Sequence, residues 1–234
     1  MLAALTPIAQ AQTFDHAALA ERARQAFIIP GYHHLHDRIA ALERALAKLC
    51  PAPTGPGLDA TRAAYRETIA AWAQIEVITF GPVAAANRME RMFFWPDRTG
   101  IGQRQVRRLL TQQNDDVLAP DKLATKSVAV QGLTALELLL HNAKSDMLAT
   151  GRPNTYRCRF AQSITVNLGR MTREILASWS DGGAFQKVWA APGPDNPVYL
   201  GASETSLELI KAFELALQNA RDHRIVPAIG LGPK

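Results

Sequence analysis

The sequence is short of several things, and each shortage excludes a class of protein. It has two cysteines in 234 residues, too few for a disulfide-dense mini-protein or a four-cysteine zinc site. No apolar run reaches the roughly 18 residues needed to span a bilayer. The formal net charge is only +5, and aromatic residues are not interleaved with the basic ones, so nucleic-acid binding has no support. No glycine-rich phosphate loop follows a strand, and neither G-x-S-x-G nor H-E-x-x-H occurs, which leaves nucleophilic catalysis without a motif. The apolar fraction of 47% is too high for a disordered chain. Alanine is what the chain has in plenty, 39 residues by count. With only 7% aromatics, that favours helices, because alanine has the best helix propensity. The length suits one large domain or two small ones.

The apolar pattern agrees with a helical protein. Residues 14–29 read as a helix that breaks at Pro30-Gly31. From there Tyr32, Leu35, Ile39, Leu42, Leu46 and Leu49 recur in steps of 3 and 4, one heptad-like seam. Pro51 to Gly57 is a break, and the next helix carries Tyr65, Ile69, Trp72 and Glu76 on one stripe. Gln103 to Gln112 forms a short basic helix. Asp121 is placed to cap a helix running through Val128 and Gly132 to His141. The clearest face is Phe160, Ile164, Leu168, Met171, Ile175 and Trp179. A last helix comes after it, with Thr205 and Glu208 as a capping box and Leu209, Phe213, Ala216 and Ala220 as its face. No segment alternates long enough to predict a strand. Long helices joined by short loops imply an all-α antiparallel bundle.

Met1 to Gln12 is a short apolar stretch with Ala9-Gln10-Ala11 in the small-x-small pattern of a signal-peptidase site. It reads as a signal-peptide remnant at residues 1–12, and the alternative is a frayed arm. Export would put residues 13–234 in the periplasm, where two lone cysteines usually pair. A bond between Cys50 and Cys158 would close a loop worth about 4–5 kcal/mol in the chain-entropy model. Two buried thiols are the alternative.

Some polar residues stand where helical spacing gathers them. Glu76 lies on an apolar, aromatic stripe and needs a partner, since an unpaired buried charge is costly. Val130, Thr134, Glu137 and His141 share a face, and Glu137 with His141 at i, i+4 has the spacing of a metal-chelating pair. The same pair also suits a plain structural contact. His33, His34 and His36 with Asp37 form a second cluster, for which a solvated helix start is the commoner explanation. Arg104, Arg107 and Arg108, with Arg88, Arg91 and Arg98 nearby, form a basic patch that could hold an anion or pair with acids.

Five irregular segments occur in order: Trp72-Ala-Gln-Ile-Glu-Val-Ile-Thr-Phe-Gly-Pro82, Asn87-Arg88, Phe94-Trp95-Pro96-Asp97, Gly100-Ile-Gly-Gln-Arg104 and Ser127-Val-Ala-Val-Gln-Gly-Leu-Thr-Ala-Leu-Glu137. With Tyr156-Arg-Cys158 they make the chain resemble the imelysin-like family over most of residues 14–224. The resemblance implies helical bundles, export, a link to iron acquisition and a site near the family's G-x-H-x-x-E motif. That motif aligns with Gly132 to Glu137, where Thr134 stands in place of the histidine. A hydroxyl is a poor zinc ligand beside imidazole, so the zinc-peptidase role loses its motif. His141, one turn beyond Glu137, is a geometric substitute that the family pattern does not supply. Family members continue past the point where this sequence stops at Gly230-Leu-Gly-Pro-Lys234, so a shortened second bundle is expected.

Three functions stand as expectations. The first is a non-catalytic periplasmic protein that binds iron, another metal or a small ligand through Trp72, Glu76, Arg88, Trp95, Thr134 and Glu137. The second is a zinc metallopeptidase with Glu137 and His141 as ligands. The third is a helical module that docks a membrane-associated protein partner.

Overall fold

The computed structural model describes residues 14–142 and 144–231. The signal-peptide reading of residues 1–12 lies outside the described residues. Every regular element among them is helical, and none is long and apolar enough to cross a membrane.

The predicted break at Pro30-Gly31 does not occur. His16–Ala23 passes through a π-helical turn, Arg24–Ile28, directly into Ile29–Leu49. Proline inside an α-helix lacks a donor and crowds the carbonyl four residues back. The π-turn shifts the hydrogen-bond register just before Pro30, with the Ile29 N–H donating to Arg24 O, so the helix runs on without a break. The same turn aims Arg24, 2% exposed, into the protein. Its guanidinium donates to Trp179 O at 2.9 Å and pairs with Asp181 and Glu21. A cation is thereby fixed against the C-terminal carbonyls of another helix, where the helix dipole favours it.

The seam of this first long helix is fully buried from Tyr32 to Leu49. It packs against Gly55–Ile75 on one side and Tyr156–Trp179 on the other. Thr54 and Thr155 cap these two helices, accepting from Gly57 N and Cys158 N. The six face residues of Tyr156–Trp179 are all at 0% exposure. Each such side chain stabilises the fold by about 1.5–3 kcal/mol. This helix is also buried on its polar sides. Thr172 meets His36 at 2.8 Å and Asn167 Nδ2 donates to Gln131 O, so these two polar groups are satisfied, whereas Trp179 Nε1 is buried with no partner among the described residues.

Cys50 and Cys158 form a disulfide across a sequence separation of 108. It ties the end of the first long helix to the start of the central one, and Asn154 N donates to Cys50 O beside it. At the opposite end Phe80, Trp179, Phe185, Trp189 and Tyr199 form one aromatic cluster with centroids 4.8–6.4 Å apart. Gly81 has φ +71, and a Cβ there would meet Phe185 at 2.8 Å. The Phe-Gly-Pro sequence therefore serves this packing.

Two helix expectations are corrected. No single helix runs from Asp121 to His141: Pro120–Leu123, the 3-10 turn Val128–Val130 and Leu133–His141 are separate. A Cβ on Gly132 would stand 2.4 Å from the carbonyl oxygens of Arg91 and Met92, so the chain breaks where another backbone passes in contact. The last long helix, Ala202–Asn219, which runs on through a π-helical turn, Ala220–Ile225, into Val226–Ala228, starts from Gly201 rather than from a Thr205–Glu208 box. Thr205 lies inside it, donating to Ala202 O, and Glu204 reaches back to accept from Leu200 N. This helix packs mainly on His16–Ala23. Its Leu207, Ile210, Phe213 and Leu217 remain exposed.

Candidate functional site

Three of the residues singled out from sequence line one cleft. Trp72 sits in the last turns of Gly55–Ile75, and Glu76 caps that helix, its N–H donating to Trp72 O. The chain then reverses through Ala86 and Asn87, both in the left-handed region. After Arg88–Met92 it runs extended to a cis peptide at Trp95-Pro96. Asp97 anchors the start of the next helix, Ile101–Gln112, its carboxylate accepting from Ile101 N and Gly102 N, both at 2.8 Å. These segments, the end of the last long helix and the π-helical turn Ala220–Ile225 that follows it line a cleft of about 430 Å³ whose walls include Trp72, Glu76, Glu90, Phe93, Trp95 and Arg224.

Arg224 crosses this cleft. Its guanidinium is ion-paired to Glu76 and lies 5.6 Å from the centroid of the Trp95 ring. His223 meets the same indole edge-on at 6.0 Å. Trp72 is 3% exposed, and its Nε1–H is buried with no hydrogen-bond partner among the described residues. The cleft thus combines two indoles, two carboxylates and one guanidinium. Arg224 and His223 were not foreseen. Glu76 on an apolar stripe signalled that a partner was needed, but its partner is 148 residues away and has no local sign.

The other expected site residues lie elsewhere. Arg88 pairs with Glu174 at 2.8 Å and donates to Pro82 O. Thr134 uses its hydroxyl to donate to Phe94 O at 3.1 Å. With Gly132 against the Arg91 and Met92 carbonyls, the motif positions 132 and 134 hold the segment leading to Trp95. Glu137 faces outward. His141 also faces solvent, with its ring 5.4 Å from the Tyr65 ring. The proton affinity of His141 is lowered, first by burial and then by Arg62, against the opposing pull of Glu137. His36, from the histidine cluster, bonds Thr172, while His33 and His34 are exposed.

A catalytic zinc takes three protein ligands and keeps an open position. Among the described residues no group of three or more His, Cys, Asp or Glu side chains is gathered to hold a metal. Glu137 and His141 stop at two, and the Thr134 hydroxyl is spent on a backbone carbonyl. The described residues do not fit a zinc-hydrolase centre.

The sequence pattern of the Imelysin peptidase family matches residues 28–225. The chain belongs to the imelysin family. Iron-regulated protein A of Synechococcus elongatus is similar, 23% identical over 202 residues, which is 85% of this chain and 51% of that protein. The crystal structure of an imelysin-like protein from Psychrobacter arcticum shares the fold, with a TM-score of 0.76 at 21% identity, over 94% of this chain and 64% of that one. The chain therefore spans about half the length of the curated imelysin relative it matches.

Proposed function

We infer that this imelysin-family protein is an exported, non-catalytic binding protein that takes a small ligand in the Trp72–Glu76–Trp95 cleft, in the service of iron or metal acquisition. The observation that carries the reading is the cleft's composition: two indoles beside a carboxylate that is held by a displaceable arginine. Concave, mostly apolar sites with few convergent polar groups are where small ligands bind. Export is supported by the disulfide, which persists in oxidising compartments. The iron link rests on the name of the Synechococcus relative.

Tryptophan fluorescence tests the site, because two of the four tryptophans line the cleft. Titration with ferric, ferrous and zinc ions, and separately with citrate and small organic amines, is expected to give saturable quenching by at least one of these probes. Glu76→Gln and Trp95→Phe are expected to abolish it. Saturable binding that survives both substitutions, or no response to any probe up to about millimolar, a weak-affinity limit, overturns the reading.

A second reading has its own observation. Leu207, Ile210, Phe213 and Leu217 are 46–61% exposed along the last helix, which suits a helical module whose partner is an amphipathic, membrane-associated protein. A monodisperse monomer that fails to bind liposomes bearing amphipathic helical proteins would count against it.

A further inference from the structure

A second cleft, of about 660 Å³, lies between Ile101–Gln112, the C-terminal end of Leu133–His141 and the start of Tyr156–Trp179. Its walls carry three cations, Arg107, Lys144 and Arg157, and no Asp or Glu among the described residues. Other arginines of these helices and their neighbours are ion-paired: Arg159 with Asp115, Arg62 with Asp146 and Arg170 with Asp121. Among the described residues, Arg107, Lys144 and Arg157 have no ion-pair partner. Asp115, which acts electrostatically on the Tyr156 side of the cleft, is already held by Arg159.

Arg157 is fixed in place. Its Nη1 donates to the carbonyls of Leu138 and Leu139, at 3.4 and 3.0 Å, capping the C-terminal end of that helix. Among the described residues Nε and Nη2 make no such bond, so one edge of a planar, preoriented fork is open. Burial lowers the proton affinity of this guanidinium, and a desolvated cation without a counter-charge favours an anion beside it. The rest of the wall combines neutral polar residues, among them Gln103, Thr111 and Tyr156, with an apolar part made of Val106, Leu110, Leu138 and Met147. Met147 is an adaptable thioether at 54% exposure.

We propose that this cleft binds an organic anion, a carboxylate or phosphate on an apolar body, with Arg157 holding the charged group, Arg107 and Lys144 screening it, and Val106, Leu110 and Met147 covering the body. The site is separate from the Trp72–Glu76–Trp95 cleft and does not depend on the reading given to it. It also absorbs Arg107 from the basic patch, while Arg104 of that patch is tied to Thr99 O.

Calorimetric titration of the intact protein with octanoate, phenyl phosphate and inorganic phosphate tests this. One organic anion is expected to bind at 1:1 stoichiometry and more tightly than inorganic phosphate, and binding is expected to weaken with added salt. Arg157→Gln removes a helix cap as well as a charge, so the deciding variant is Arg107→Gln with Lys144→Gln, two exposed side chains whose loss should leave the melting curve unchanged. That double variant is expected to weaken binding by about tenfold, the scale of a lost charge-assisted contact. Equal affinity for inorganic phosphate, undiminished binding by the double variant, or no binding of either organic anion overturns the proposal.

Discussion

Two helices with similar apolar patterns meet opposite fates. Tyr156–Trp179 carries Phe160, Ile164, Leu168, Met171, Ile175 and Trp179, all at 0% exposure. Ala202–Asn219 carries Leu207, Ile210, Phe213 and Leu217, all at 46% or more. The first lies between the long N-terminal helix and the short helices of the middle of the chain, while the second leans on His16–Ala23. An apolar stripe is a demand for a partner, and only the packing of other elements decides whether it is met. Stability should follow burial, and the two helices should respond to the same kind of change very differently.

The largest contrast lies at the foot of the central helix. Cys50→Ser with Cys158→Ser removes the cross-link over 108 residues and is expected to cost about 2–5 kcal/mol, read from urea denaturation. Full stability without the bond would mean that packing alone holds the central helix. Leu168→Ala comes next at about 3 kcal/mol, because a buried leucine leaves a cavity as well as losing contacts. A smaller, pH-dependent effect should come from the His36–Thr172 contact. Burial first, then Arg173 on the central helix, lower the His36 proton affinity, with His33 adding to this and Asp37 and Glu43 opposing. The folded state thus binds fewer protons than the unfolded one. The contribution is complete above about pH 6.5, the ordinary imidazole value, and is lost as pH falls from there toward the lower folded value. The denaturation midpoint should therefore be lower at pH 5.5 than at pH 7.5, and the drop should be smaller in His36→Gln. Phe213→Ser on the last helix should change stability least, within about 0.5 kcal/mol. A loss as large as that of Leu168→Ala would show that its apolar face is covered in solution.

The same distinction explains what could be read from sequence. The seam from Tyr32 to Leu49 and the face from Phe160 to Trp179 are one-dimensional periodicities, and the structure buries every residue of both. The Cys50–Cys158 pair was legible because only two cysteines exist. Pro30 misled, since the π-turn that accommodates it has no sequence marker as strong as proline itself. The break at Gly132 depends on the Arg91 and Met92 carbonyls passing beside it, a contact between distant segments. The site was half legible. Trp72, Glu76 and Trp95 do share a cleft, whereas Arg88 and Thr134 go to Glu174 and the Phe94 carbonyl. Residue type says that a group needs a partner, and several partners at different depths of the chain can satisfy it.

By itself, then, the sequence determined a helical protein with a seam, a central face and one cysteine pair, because helix period and residue chemistry are local, while its ordered irregular motifs carried the resemblance to the imelysin family. The tertiary structure alone decided that Arg224 crosses the cleft to Glu76, that three cations without an ion-pair partner among the described residues share another, and that one apolar helix is core while another is surface. These depend on which segments meet across long stretches of chain, and periodicity does not encode that distance.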